Sequence, residues 1–265
     1  MTGLDGRLRA TLARIAQHVV AVALAIGAWF GVIAVFAIDP QVLPPPDEVL
    51  GALIRQFSSG RFWMHFGVTG TEVVLGFGLG CTVAFLAGTL VAQSRLVERM
   101  LYPCVVALES IPKIALAPLF VVWFGFGLTS KVVTTALICF FPMFVNVTQG
   151  LMGSSRAQIE VLRAAGAGRL SLLWRLQLPN ALPMIFAALN ICVILAVIGA
   201  VVAEYVGAKA GIGYQLLLLS RQIRTADVFA NIVGLALMGL LGHALIRLVQ
   251  RRLVFWDDAR TGSAD

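Results

Sequence analysis

Residues 158–183, from Gln158 to Pro183, read QIEVLRAAGAGRLSLLWRLQLPNALP. This is the longest central run that is not apolar enough to sit in a membrane. It holds Glu160, Arg163, Arg169 and Arg175, and long hydrophobic segments lie on both sides. A polar, helix-forming island between membrane segments belongs at an aqueous surface, where a soluble partner can touch it.

The local chemistry predicts a short helix, a break and a second helix. Ser155 followed by Gln158 has the spacing of a capping box, in which side chains satisfy the free N–H groups of a helix start. Glu160 falls in the first turns, where the helix dipole favours a carboxylate. Gly166 and Gly168 supply a stop, because glycine takes the left-handed conformation that ends helices. Leu170 to Leu178 resumes an amphipathic pattern, and Pro179 and Pro183 punctuate the start of the next apolar run.

Outward from this island the chain is a membrane protein. Of 265 residues, 59% are hydrophobic and 12% charged, whereas soluble domains are about half apolar and a quarter charged. The net charge of +7 does not indicate nucleic acid, because the basic residues are scattered at the ends of apolar segments. Cys81, Cys104, Cys139 and Cys192 stand alone within apolar runs, with neither metal-ligand spacing nor a disulfide framework, and read as packing residues.

Val19 to Ile38 is uncharged and long enough for a hydrocarbon core of about 30 Å. It exceeds the h-region of a signal peptide and reads as an anchor. Asp39-Pro40 ends it. Pro44-Pro45-Pro46 and Asp47-Glu48 then open a half-polar stretch, predicted to form a short amphipathic helix at the outer surface. Further spans are predicted at 69–92, 101–124, 131–150, 181–203 and 227–248. The expected fold is therefore all-α, with six transmembrane helices. Residues 1–18 form a cytoplasmic arm, 19–248 the membrane domain and 249–265 a cytoplasmic tail. With the N-terminus inside, about 13 of the 20 basic residues fall on inner segments and about 6 on outer ones. This satisfies the positive-inside bias and places both termini and the central island in the cytoplasm.

Gly76, Gly80, Ala84 and Gly88 form a small-residue face on the second span that allows close helix approach, either within the chain or between subunits. The third span contains Pro103, Pro112 and Pro118, with Glu109 and Lys113 among them. Charges at the bilayer centre cost about 2.5–3.5 kcal/mol each and generally face a partner or a watery path. Two readings stand side by side for Glu109 and Lys113: a structural ion pair, or lining of a translocation path. For Glu72, near the outer end of the second span, plain interfacial polarity is an equal reading. Residues 204–226 carry Glu204, a glycine-rich turn at Gly207, Gly211 and Gly213, and then Arg221 and Arg224.

Catalytic signatures are lacking. No phosphate-cradling Gly-x-x-x-x-Gly-Lys-Ser/Thr occurs, and the lysines are Lys113, Lys131 and Lys209. His18, His65 and His243 are far apart and form no ligand cluster.

Glu160, then Gly166, then nine residues before Leu176-Gln177-Leu178-Pro179, resembles the "EAA loop" of ABC-importer permease subunits. Val161 and Leu162 replace its two alanines, and Leu176 its isoleucine. Leu43 to Leu50, Ile111 to Phe120 followed by Trp123-Phe124-Gly125, Ala203-Glu204 and Gly211-Ile212-Gly213-Tyr214 resemble segments of the nitrate/sulfonate/taurine-type permeases. The resemblance implies a type I importer permease fold in the bacterial inner membrane. It also implies a cytoplasmic ABC ATPase, an extracytoplasmic substrate-binding protein and a second permease copy as partners.

No cofactor is expected in this chain, since the ATPase would hold the ATP. By the resemblance, residues 154–179 dock that ATPase. Glu160 and Arg163 supply polar contacts, Gly166 a sharp turn, and Leu178 and Pro179 the angle of the following helix. Glu109, Lys113 and Glu204 are candidates for the path or gate. The cargo implied is a small solute such as nitrate, taurine, a sulfonate or a pyrimidine-like vitamin precursor. The alternatives are an ion-coupled secondary transporter, which would show inverted repeats, and an intramembrane enzyme, which would gather titratable groups at one depth.

Overall fold

The computed structural model describes residues 2–254, with side chains from residue 16 onward except at positions 18, 19, 22 and 95. The described residues contain eleven α-helices and no strand. They are α1 (Thr2–Phe36), α2 (Pro46–Phe57), α3 (Gly60–Gln93), α4 (Arg95–Glu109), α5 (Ala117–Phe124), α6 (Leu128–Met152), α7 (Arg156–Ala164), α8 (Arg169–Leu172), α9 (Leu178–Gly207), α10 (Ile212–Arg221) and α11 (Thr225–Leu253). A 3₁₀ turn, Lys113–Leu116, precedes α5, and a π-turn, Leu173–Gln177, joins α8 to α9.

Four stretches are long and apolar enough to cross a membrane: α3, α6, the run Arg169–Gly207 and α11. The segment expected to be one third span is instead broken. Its two arms, Leu96–Glu109 and Lys113–Phe124, meet at 84°. Pro112 is the physical cause. It has no N–H to donate, and its ring pushes Ile111 out of helical geometry. Pro118 falls in the first turn of α5, where proline is tolerated. Counted as one span, the bent pair brings the number among the described residues to five, against the six expected. The first expected span falls on α1, of which Ala23–Phe36 is a shorter apolar helix. The arm expected at 1–18 is continuous with α1 from Thr2. Of the expected tail, positions 255–265 lie outside the described residues.

The chain divides into two compact units: residues up to Arg61 with Leu216–Val233, and Phe62–Gln215 with the described residues from Gly234 onward. In the first unit, Asp227 at the start of α11 is 5% exposed. Its carboxylate lies 2.7 Å from Arg224 Nη2 and 3.8 Å from Arg55 Nη2. Arg224 is thus engaged within its own unit. Trp29 meets Phe229 at 5.6 Å between ring centroids.

In the second unit, α6 packs along α9 as the centre of the core. The small-residue face of α3 is an intrachain contact with α6. A Cβ on Gly76 would collide with the Thr135 side chain, one on Gly80 with the backbone of Ala136, and one on Gly88 would stand 2.9 Å from Val147 Cγ1. Buried Cys139 and Cys192 each donate Sγ–H to the other's carbonyl at 3.4 Å. They pack as small residues, as the sequence suggested.

Candidate coupling segment and buried gate

The island after α6 folds as its local signals require. Ser155 adopts an extended backbone, and its Oγ accepts from Gln158 N at 3.2 Å, opening α7. At the other end Gly166 has φ +84°. Gly166 N donates to Arg163 O and Ala167 N to Leu162 O, both at 2.9 Å. That pair of bonds is a Schellman stop, which needs a left-handed residue where Gly166 stands. The result is a short helix pinned at both ends. Glu160, Val161 and Arg163 face solvent, and among the described residues neither Glu160 nor Arg163 joins an ion pair. Leu170 and Trp174 are also exposed, at 68% and 62%. An apolar depression of about 360 Å³ lies among Ala157, Gln158, Val161, Leu162 and Leu176.

The link from this helix into the membrane is stiff. Pro179 offers no donor to the ladder, and its ring would press on the carbonyl of Arg175 in regular α geometry. The chain widens one turn earlier, so that Leu178 N donates to Leu173 O, five residues back. Gln177, 8% exposed, accepts from Gln93 Nε2 at 2.9 Å. The segment is thereby tied to the last residue of α3. Leu178 and Pro179 are half-buried at the head of α9.

Glu109 and Lys113 form no ion pair. Lys113 Nζ donates to the main-chain oxygen of Glu109 at 3.0 Å and stands 4.7 Å from the centre of the Phe141 ring. The break at Pro112 removes the regular i,i+4 geometry that a side-chain pair requires.

Glu204 belongs to a buried polar cluster at the far end of α9. It is 1% exposed. Its Oε1 accepts from Thr69 Oγ1 at 2.6 Å and its Oε2 from Tyr214 N at 3.1 Å. Thr69 Oγ1 in turn accepts from Ile212 N at 2.8 Å, and His65 Nδ1 accepts from Gly211 N at 2.9 Å. The first N–H groups of α10, which have no partner inside their own helix, are therefore satisfied by side chains of α3 and α9. A carboxylate at that helix start also meets the positive end of the helix dipole. Gly211, at φ +116°, curls so closely around Glu204 that a Cβ there would overlap the carboxylate.

Two further titratable side chains complete the cluster. Glu72, 2% exposed, lies near enough to interact with Glu204 and Lys131, and its Oε2 has no hydrogen-bond partner among the described residues. Lys131, 4% exposed, donates to the carbonyls of Phe126 (2.9 Å), Gly127 (3.0 Å) and Gly207 (3.2 Å). Of the readings open for Glu72, burial in this cluster holds and interfacial polarity does not, and His65 is a buried acceptor. His65, Thr69 and Glu72 stand at i, i+4 and i+7, one polar stripe on an otherwise apolar helix. That spacing is the sequence signal that groups these three residues. Among the described residues no group of His, Cys, Asp and Glu could hold a metal. The arrangement fastens one helix to two others and has no nucleophile or acid–base pair directed at an open cavity.

Comparison with known proteins gives these features a context. Residues 80–255 match the family described as "Binding-protein-dependent transport system inner membrane component". The formylaminopyrimidine transport permease protein ThiX of Halalkalibacterium halodurans is 39% identical over 218 residues, 82% of this chain and 87% of that protein. The taurine transport system permease protein TauC of Escherichia coli is 30% identical over 233 residues, 86% of this chain and 85% of that one. An inward-facing structure of the MetNI methionine ABC transporter superposes with a TM-score of 0.59 at 21% identity, covering 72% of this chain and 99% of the other. It shows a shared fold. This chain belongs to the binding-protein-dependent transport system inner membrane component family, the permease subunits of ABC importers.

Proposed function

We propose that α7 is the element through which a cytoplasmic ATPase drives this inner-membrane permease, and that the Glu204 cluster holds its gate. ATP hydrolysis belongs to a separate subunit. A force delivered by that subunit reaches the spans only through something rigid. The observation that carries the reading is the construction of α7. It is capped by Ser155, stopped by Gly166 at φ +84° and joined through the π-turn to α9 and to Gln93 on α3. Its exposed Glu160, Val161 and Arg163 offer an apolar contact flanked by opposite charges.

In this reading residues 154–179 and both termini are cytoplasmic. The Gly211–Tyr214 turn faces the soluble binding protein that delivers the cargo, and two copies of the chain enclose the path. The cargo is a small solute of the class handled by the relatives, a sulfonate such as taurine or a pyrimidine-like vitamin precursor. The broken span at Pro112, with Glu109 and Lys113 at the break, is the segment best suited to line the path, since non-helical backbone at membrane depth needs protein or water around it.

The test is co-purification of the detergent-extracted chain with the ATPase that serves it, for wild type and Gly166→Asp. A Cβ at Gly166 meets nothing within 4 Å, so the aspartate leaves packing intact. It adds a left-handed strain of about 1–2 kcal/mol and a negative charge at the helix C-terminus, which the dipole disfavours. Wild type should bring down the ATPase with two copies of each chain, and the variant should insert but lose the ATPase or its coupling to uptake. Normal uptake by stably inserted Gly166→Asp would overturn the docking role.

A further inference from the structure

The end of α11 holds a basic cavity that the coupling and gating machinery does not use. It measures about 750 Å³ and lies between α9 and α11, within the range of about 300–1,000 Å³ typical of small-ligand sites. Its polar lining is Asn190, His243, Arg247, Gln250 and Arg251. His243, Arg247 and Arg251 recur every four residues and so share one helix face. Among the described residues neither arginine has a carboxylate partner. Asn190 donates its amide to Phe186 O at 2.9 Å and Gln250 Oε1 at 3.4 Å, while its buried Oδ1 is unpartnered among those residues. Two guanidiniums at the mouth of a cavity, without a carboxylate partner among the described residues, select an anion with several oxygens, because each presents a planar fork of donors.

The surroundings indicate how that anion arrives. The cavity stands at the end of a membrane-crossing helix. Toward the span's interior the same faces turn apolar and stay exposed: Leu240 on α11 at 66%, and Ile194 and Ile198 on α9 at 55% and 44%. A free phosphate would fill the polar end and leave this ridge bare. A phospholipid would satisfy both, with its phosphate between the arginines and its acyl chains along the ridge. Basic pockets between membrane helices bind anionic headgroups for this reason. We propose that the α9–α11 cavity is a binding site for the phosphate headgroup of an anionic membrane phospholipid.

The permease–ATPase complex would be delipidated in detergent and titrated with phosphatidylglycerol or phosphatidylcholine, and bound lipid counted by native mass spectrometry. Phosphatidylglycerol should bind roughly tenfold or more tightly than phosphatidylcholine, and Arg247→Gln/Arg251→Gln should abolish that preference. Arg247→Lys/Arg251→Lys, which keeps the charge and alters no volume drastically, should retain part of it. It guards against loss of fold in the neutral variant. Glycerol phosphate at millimolar concentration should fail to displace the lipid. Equal retention of both lipids, or a preference untouched by the double glutamine variant, would overturn the proposal. Full displacement by glycerol phosphate would do so as well, by showing a site for free anions.

Discussion

At position 211 a side chain has nowhere to go, because the Glu204 carboxylate fills the space and φ is +116°. Gly211→Ala must both strain the backbone, at about 1–3 kcal/mol, and push Glu204 away from Thr69 and Tyr214. We expect a clear fall in melting temperature and loss of uptake, measured by thermal unfolding in detergent and by solute accumulation in vesicles. Glu204 itself separates charge from hydrogen bonding. Glu204→Gln keeps an oxygen to accept from Tyr214 N–H and turns its amide N–H toward Thr69 Oγ1 as donor, whereas Glu204→Ala strands buried polar groups at about 1–3 kcal/mol each. The glutamine variant should unfold close to wild type and the alanine variant well below it. Equal melting temperatures would show that the carboxylate does not fasten α10. Glu204 and Gly211 were both visible in the sequence as part of a glycine-rich turn. The fastening of Glu204 to Thr69 is not visible there, because the two residues are 135 positions apart and only helix packing sets them side by side.

At the scale of the element, the link between α7 and α9 shows how one proline sets a geometry. The π-turn at Leu173–Gln177 accommodates a residue that neither donates nor tolerates the carbonyl four residues back. Pro179→Ala restores the missing donor and allows a regular α-helix, which would rotate α7 about 100° relative to α9, one residue's worth of α-helical twist. Stability should hold or rise slightly. Substrate-stimulated ATPase activity and uptake should both fall, by several-fold, in reconstituted complex. Unchanged coupling would mean that the angle of α7 set by the turn does not matter to uptake. The caps of α7 were legible beforehand, since Ser155, Gln158 and Gly166 act on groups within five residues of themselves. The π-turn was not, although Pro179 was seen. The 84° break at Pro112 belongs to the same class: three prolines were noted, yet a single span was expected. A proline limits the conformations open to its neighbours without choosing among kink, break and turn.

At the scale of the molecule, burial is uneven. Half or more of the apolar windows of α6 and α9 is buried, while only 6% of the apolar window of α11 is. The outer helices therefore present apolar faces to lipid or to a second copy. Under the proposed topology, Arg163→Cys should react with a membrane-impermeant thiol reagent only from the cytoplasmic side, and Glu48→Cys only from the opposite side. This would be read by labelling in intact cells against inverted vesicles. The reverse pattern would invert the chain and remove α7 from reach of a cytoplasmic ATPase.

Composition, the lengths of the apolar runs and the caps around Ser155 and Gly166 follow from the chain alone. Each depends on transfer from water or on neighbours a few bonds away, and those forces act before any tertiary contact exists. The paired glutamines 93 and 177, the fastening of α10 by His65, Thr69 and Glu204, the burial of Glu72 and Lys131, and the basic cavity beside Arg247 and Arg251 were decided only by the folded structure. Each joins groups that are distant in sequence. Packing of apolar helices brings them together, and once they are inside, each buried polar group must find a partner or remain costly.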